Sequence, residues 1–392
     1  MIRPAKAAAT ALALLAACAP PVPRDPSAPP QAAYETAEIP GFPYIRIYHD
    51  APFRPSREVV EAYLRERREA GLATDRFDIL ALSGGGPDGA FGAGFLKGWT
   101  ENGDRPEFDI VTGISTGALI APFAFLGPDY DEALRRFYTG TTTGDILTFT
   151  ILAAIAGGTA VADTEPLRQI LAQEVTPEFT ARIAAEHRRG RRLLVGTTNI
   201  DSQRPVIWDL GAIAVTGRPD APDLIRKVML ASAAIPGAFP PVLFDVTSDG
   251  RTYQEVHVDG GVTLSLFVYP PSLDLGEITR ALGVPEGRKT FYLIRNAKLR
   301  PEYSPPLLGL VPIAERAVST LIKVQTIGNL LEIERLAARD GFEIRLASVP
   351  ESFATRANEL FDPAYMSALY ALGHEEARNG TPWSDNILGL EP

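Results

Sequence analysis

The chain has 392 residues, 45% hydrophobic and 22% charged, a globular composition sufficient for one large or two modest domains. Its 38 basic and 48 acidic residues leave a net charge of −10, which excludes long-range attraction to nucleic acid or anionic headgroups. Any membrane contact must then be hydrophobic or covalent. The one cysteine, Cys18, excludes an internal disulfide, and only four histidines occur.

The N-terminus reads as a targeting segment. Arg3 and Lys6 precede an uncharged, mostly apolar stretch from Ala7 to Ala17, too short to span a bilayer. It ends in Leu15-Ala16-Ala17-Cys18, which resembles a bacterial lipobox; residues 1–17 are expected to be removed and Cys18 to carry the lipid. Ala19 after the cysteine fits sorting to the outer membrane, facing the periplasm. Residues 19–30 hold six prolines in twelve positions and predict an extended tether of roughly 37 Å at about 3.1 Å per residue. Residues 31–55, still rich in proline and aromatics, are expected to wrap the domain edge. The remaining residues, 56–392, read as one domain.

A helix is predicted from Ser56 to Ala70, capped by Ser56 and stopped by Gly71. Short apolar runs follow at 77–82, 108–112, 192–198, 206–210, 256–258, 291–294 and 342–347. Helical stretches at 90–100, 117–126, 167–173 and 222–233 alternate with several of them. That alternation predicts an α/β fold with a central, largely parallel sheet covered on both faces. Residues 146–162 lack any charge, which suits a buried helix or hairpin, or an apolar flap over a lipid groove. Residues 312–340 read as a long amphipathic helix packed on the sheet.

Two glycine motifs sit at strand–helix junctions. Ser83-Gly84-Gly85-Gly86-Pro87-Asp88-Gly89 follows the run Phe77–Leu82; consecutive glycines let successive N–H groups converge on an anion. Gly84, Gly86 and Gly89 match a dinucleotide fingerprint, but a nest of N–H groups serves equally as an oxyanion hole. The second motif, Gly113-Ile114-Ser115-Thr116-Gly117, decides between them: it is G-x-S-x-G between a strand and a helix, the setting of an exposed nucleophile. A dinucleotide site would want an acid at the end of that strand, where Gly113 stands instead.

Serine needs a proton acceptor. His187, His257 and His374 follow Ser115, and of these His374 sits in a charged helix end, Gly373-His374-Glu375-Glu376. Val256-His257-Val258-Asp259-Gly260-Gly261 is a strand ending in an acid and two glycines, and a carboxylate within about 2.6–3.2 Å can take the serine proton directly.

These residues together resemble the patatin-like phospholipase family. The glycine loop Gly84-Gly85-Gly86, the elbow Gly113–Gly117, Ala231-Ser232-Ala233-Ala234-Ile235-Pro236 and Asp259-Gly260-Gly261 stand in the family's order. The resemblance covers residues 77–261 and extends toward Ala347. It implies a patatin-like three-layer α/β/α sandwich and a lipid acyl hydrolase that needs neither cofactor, metal nor histidine. Ser115 and Asp259 would form the dyad, and Gly84, Gly85 and Gly86 the oxyanion hole. Where the family loop carries a basic residue this chain has Asp88, which is expected to point outward. Lipid would be the substrate and the bacterial envelope the location. A Ser–Asp–His esterase using His374, and a lipid-binding lipoprotein without activity, remain as alternatives.

Overall fold

The computed structural model describes residues 24–72, 75–149, 159–160, 162–380 and 383–385. The expected signal segment, Cys18 and the first part of the expected tether lie outside them. The strands are β1 (Arg46–Tyr48), β2 (Phe77–Leu82), β3 (Ile110–Ile114), β4 (Thr148–Phe149), β5 (Ala162–Asp163), β6 (Arg192–Asn199), β7 (Arg204–Asp209), β8 (Val242–Ser248), β9 (Arg251–Asp259), β10 (Lys289–Arg295) and β11 (Glu343–Ser348). The first six helices are α1 (Arg57–Glu69), α2 (Gly89–Asn102), α3 (Thr116–Leu126), α4 (Asp131–Gly140), α5 (Thr143–Ile146) and α6 (Glu165–Glu174). The rest are α7 (Pro177–Arg188), α8 (Leu210–Val215), α9 (Ala221–Ser232), α10 (Leu275–Leu282), α11 (Leu310–Asp340) and α12 (Pro363–Arg378).

All six residues of β2 are buried, and they divide by strand alternation between two cores. Leu80 and Leu82 join Phe91, Phe95 and Leu96 of α2 on one face; Phe77, Ile79 and Ala81 join Leu275, Leu330, Ile333 and Leu336 on the other. This is why all of the run but Asp78 is apolar, and it makes the sheet the middle of three layers, as expected. The parallel run is β6-β3-β2-β10-β11. Beyond β6 the sheet turns antiparallel, with β7 and then β1 on one side and the hairpin β8–β9 on the other. The sheet is thus mixed, mostly parallel in its centre. Neither β1 nor β8 was foreseen, the first being only three residues long.

Some expectations shift. Arg24 and Ser27, inside the stretch expected to be tether, are fastened to the domain: Arg24 pairs with Asp201 at 2.9 Å, and Gln254 donates its N–H to the Ser27 carbonyl. The uncharged segment 146–162 begins in α5, and its ends pair as the antiparallel ladder β4–β5; its middle, 150–158, lies outside the described residues. The long helix α11 exists, and its C-terminal part packs on the sheet through Leu330, Ile333, Leu336 and Ala337. Among the described residues, no helix is long and apolar enough to cross a membrane.

Beneath the sheet, Asp109 accepts Arg67 Nη2 at 2.5 Å and the Asp78 N–H at 2.6 Å, tying α1 to the starts of β2 and β3. Arg67 is 1% exposed. Removing one member of such a pair leaves a buried charge, so Arg67→Met should lower the unfolding free energy by about 3–5 kcal/mol. Urea denaturation measures it, and a loss under about 1 kcal/mol would show that the pair does not hold these elements.

Candidate active site

In an open α/β sheet the functional crevice lies at the carboxyl ends of the strands, where neighbouring connections diverge. Here that point is β2, which has β3 on one side and β10 on the other. The glycine loop leaves β2 and the serine elbow leaves β3, so the two motifs meet.

β3 runs two residues further than its apolar pattern, through Gly113 to Ile114, and the chain then reverses into α3. Ser115 takes φ 54° and ψ −123°, a conformation costing about 1–3 kcal/mol for a residue with a side chain. The tightness explains the flanking glycines: a Cβ at Gly113 would lie 2.3 Å from the Gly117 carbonyl oxygen, and one at Gly117 2.2 Å from that of Leu82. Both contacts are impossible. The strained backbone is held by Ser232, whose Oγ accepts the Ser115 N–H at 2.9 Å and donates to the Gly196 carbonyl at 2.6 Å.

Asp259 arrives from the opposite direction on β9. Gly196 of β6 is paired with Ile114, and the next rung, Thr197, is paired with Asp259. The Ser115 hydroxyl consequently donates to Asp259 Oδ2 at 2.6 Å. Asp259 Oδ1 accepts the Gly261 N–H at 2.7 Å, while the Asp259 N–H donates to the Ala234 carbonyl. Gly260 lies against Gly196, leaving no room for a Cβ. Both Ser115 and Asp259 are 6% exposed. Burial pushes the Asp259 carboxyl up to about 6, against the opposing pull of the Ser115 and Gly261 hydrogen bonds.

The glycine loop divides its roles. Gly84, expected among the oxyanion donors, gives its N–H to the Ser265 carbonyl at 3.2 Å, and a Cβ on it would lie 3.2 Å from the Ser115 Cβ. The N–H groups of Gly85 and Gly86 have no acceptor among the described residues. Gly85 is pressed on Asn296, whose carbonyl oxygen a Cβ would meet at 2.0 Å. Asn296 also clamps the loop: its Nδ2 donates to the Ser83 carbonyl, and its Oδ1 accepts the Gly92 N–H. Nothing in the sequence singled out Asn296. Ser232 lay within a quoted motif, but its part in holding the elbow became visible only here.

Asp88 does not point outward. It lines the same cleft as Ser115 and accepts the Tyr365 hydroxyl at 2.6 Å, because α12 packs across α2. Burial raises its carboxyl to about 6. None of the three histidines after Ser115 lines the cleft: His374 Nε2 is bonded to Glu101 at 2.9 Å, His257 lies buried between Thr197 and Glu255, and His187 lies beside Asp209 at 3.5 Å. Among the described residues no group of three or more His, Cys, Asp or Glu could hold a metal ion.

The cleft has a volume of about 460 Å³, with α11 as one wall. On the far side of Ser115 lies a small slot lined by Leu119, Phe137, Ile146, Leu167 and Phe239. A hydroxyl bonded to a buried carboxylate, beside free N–H groups, at the crevice of a doubly covered sheet, defines an α/β protein equipped for hydrolysis. Residues 80–270 match the family model of the patatin-like phospholipases, so this part of the chain is a patatin-like phospholipase domain. No curated protein matches the chain. The crystal structure of VipD from Legionella pneumophila is similar at a TM-score of 0.40 and 12% identity, over 78% of this chain and 66% of that one, just under two thirds of its length.

Ser232→Ala removes the partner of the Ser115 N–H without touching the reacting groups. Turnover of an acyl ester should fall about 10-fold or more, at the scale of a lost buried hydrogen bond, with KM little changed. Steady-state kinetics on folded protein check this; an unchanged kcat would show that the elbow holds itself.

Proposed function

We propose that the chain is a serine acyl-ester hydrolase working through a Ser115–Asp259 dyad. The observation that carries this reading is the 2.6 Å hydrogen bond from the serine hydroxyl to a buried carboxylate. Ser115 Oγ attacks the ester carbonyl as Asp259 takes its proton. The tetrahedral oxyanion is met by the N–H groups of Gly85 and Gly86, with the positive end of α3 beneath. Collapse releases the alcohol, with Asp259 returning the proton, and leaves an acyl-serine. Water deprotonated by Asp259 then attacks that ester and frees the fatty acid. The family and the apolar slot support a lipid acyl chain as the group transferred. The positions of His374 and His257 away from the cleft weigh against a histidine triad.

A lipid-anchored life at the bacterial envelope is part of the same proposal. It rests on the sequence around Cys18 and is tested by labelled fatty-acid incorporation, which Cys18→Ser must abolish.

Hydrolysis of a medium-chain p-nitrophenyl ester tests the dyad. Ser115→Ala and Asp259→Asn should each lower kcat by about 10³-fold or more, and full activity in Ser115→Ala refutes the proposal. The pH dependence follows from the base. Asp259 accepts a proton only when ionised, so kcat/KM should be level above about pH 6 and fall tenfold per unit below it. A rate independent of pH between 4 and 7 would exclude Asp259 as the base.

A further inference from the structure

Arg295 ends β10, immediately before the Asn296 that clamps the glycine loop. It is 4% exposed, yet it lines the same cleft as Ser115. Among the described residues its side chain makes one hydrogen bond, from Nε to the Lys298 carbonyl at 3.2 Å, and no carboxylate lies within ion-pair distance of it. The guanidinium nitrogens at its tip therefore lack an acceptor among the described residues. Burial lowers its proton affinity to about 10, while Glu351 and Glu302 pull the other way from beyond contact. It remains a cation at any physiological pH.

Of the other charges in the cleft, Lys323 pairs with Glu302 at 3.2 Å, Glu302 also takes Lys298 at 3.5 Å, and Asp88 accepts the Tyr365 hydroxyl. Arg316 donates to the Glu302 carbonyl and is only half-buried, so Arg295 is the buried cation among them. A buried charge without a partner is unfavourable in the folded protein, and a fold keeps one where a ligand completes it. Guanidinium presents a planar fork of donors that matches a phosphate or carboxylate in two-point contact.

We infer that Arg295 is a specificity-determining residue that binds an anionic group of the substrate, the phosphodiester of a phospholipid headgroup, while Ser115 engages the neighbouring acyl ester. The inference rests on the Ser115 reading. It selects among acyl esters: a lipid with an anion close to its ester is preferred over a neutral glyceride with the same chains. Arg295 takes no part in the covalent steps. Its contact exists before and during the reaction, so its loss raises KM more than it lowers kcat.

The test compares a short-chain phosphatidylcholine with a diacylglycerol of the same acyl length, in wild type, Arg295→Gln and Arg295→Lys. Wild type should favour the phospholipid. In Arg295→Gln the ratio of the two kcat/KM values should fall about 10- to 100-fold, the size of a charged hydrogen bond, mainly through KM. Arg295→Lys should recover part of that ratio. An equal ratio in wild type and Arg295→Gln overturns the inference.

Should Arg295→Gln fail to fold, inhibition of wild-type diacylglycerol hydrolysis decides instead. A diether phosphocholine, which has no ester to cleave, should inhibit at least tenfold more tightly than the matching diether glycerol, and equal inhibition overturns the inference. Inorganic phosphate inhibiting as tightly as the diether phosphocholine would assign the site to a free anion and overturn it as well. If wild type hydrolyses neither lipid and no p-nitrophenyl ester, the serine reading fails and the inference falls with it. Ester hydrolysis without any preference for the phospholipid leaves the serine reading standing and refutes Arg295 alone.

Discussion

Two consecutive rungs on β6 determine the site. β3 and β9 lie along the same edge of β6 and meet there end to end, one parallel and one antiparallel, with Ile114 opposite Gly196 and Asp259 opposite Thr197. A register slip of one residue on either strand would turn its side chains to the other face of the sheet and part serine from carboxylate. The remaining features of the site secure this junction. Ser232 joins the elbow to β6 through the Gly196 carbonyl, and the Ala234 carbonyl takes the Asp259 N–H. The motif between elbow and aspartate is thus a brace for both.

The electrostatics follow from burial. Taking Asp259 out of water raises its carboxyl to about 6, while the Gly261 N–H and the serine hydroxyl keep it from rising further. A base placed there is ionised at neutral pH and still basic enough to accept a proton. Strain at Ser115, about 1–3 kcal/mol, is offset by the bond from its N–H to Ser232 Oγ, itself anchored on the Gly196 carbonyl. Asp88 complicates the picture, since a negative charge in this cleft opposes a developing oxyanion. Its bond to Tyr365 fixes where that charge sits, and Arg295 supplies a cation in the same cleft.

Much of this was legible in the sequence. The glycine loop, the elbow and the aspartate turn each stand where an apolar run gives way to glycines, and such punctuation marks strand ends well. The burial of β2 on both faces made its run visible, with both of its ends where the pattern put them. Segments whose form depends on a partner were illegible. β1 is three residues long and exists through β7; β8 alternates weakly and exists through β9. Asp88 was misjudged because α12 begins some 275 residues further on, and only its packing brings Tyr365 across. The same limit hid Gly84's bond to Ser265, the clamp at Asn296 and the isolation of Arg295. A charged strand end looks ordinary until its surroundings are known.

The most direct measurement is covalent trapping. Wild-type protein treated with a fluorophosphonate and digested should carry one phosphonyl adduct, located by mass spectrometry on the peptide containing Ser115, while folded Asp259→Asn should remain unmodified. Modification of another serine, or equal labelling of the Asp259→Asn protein, would contradict the dyad.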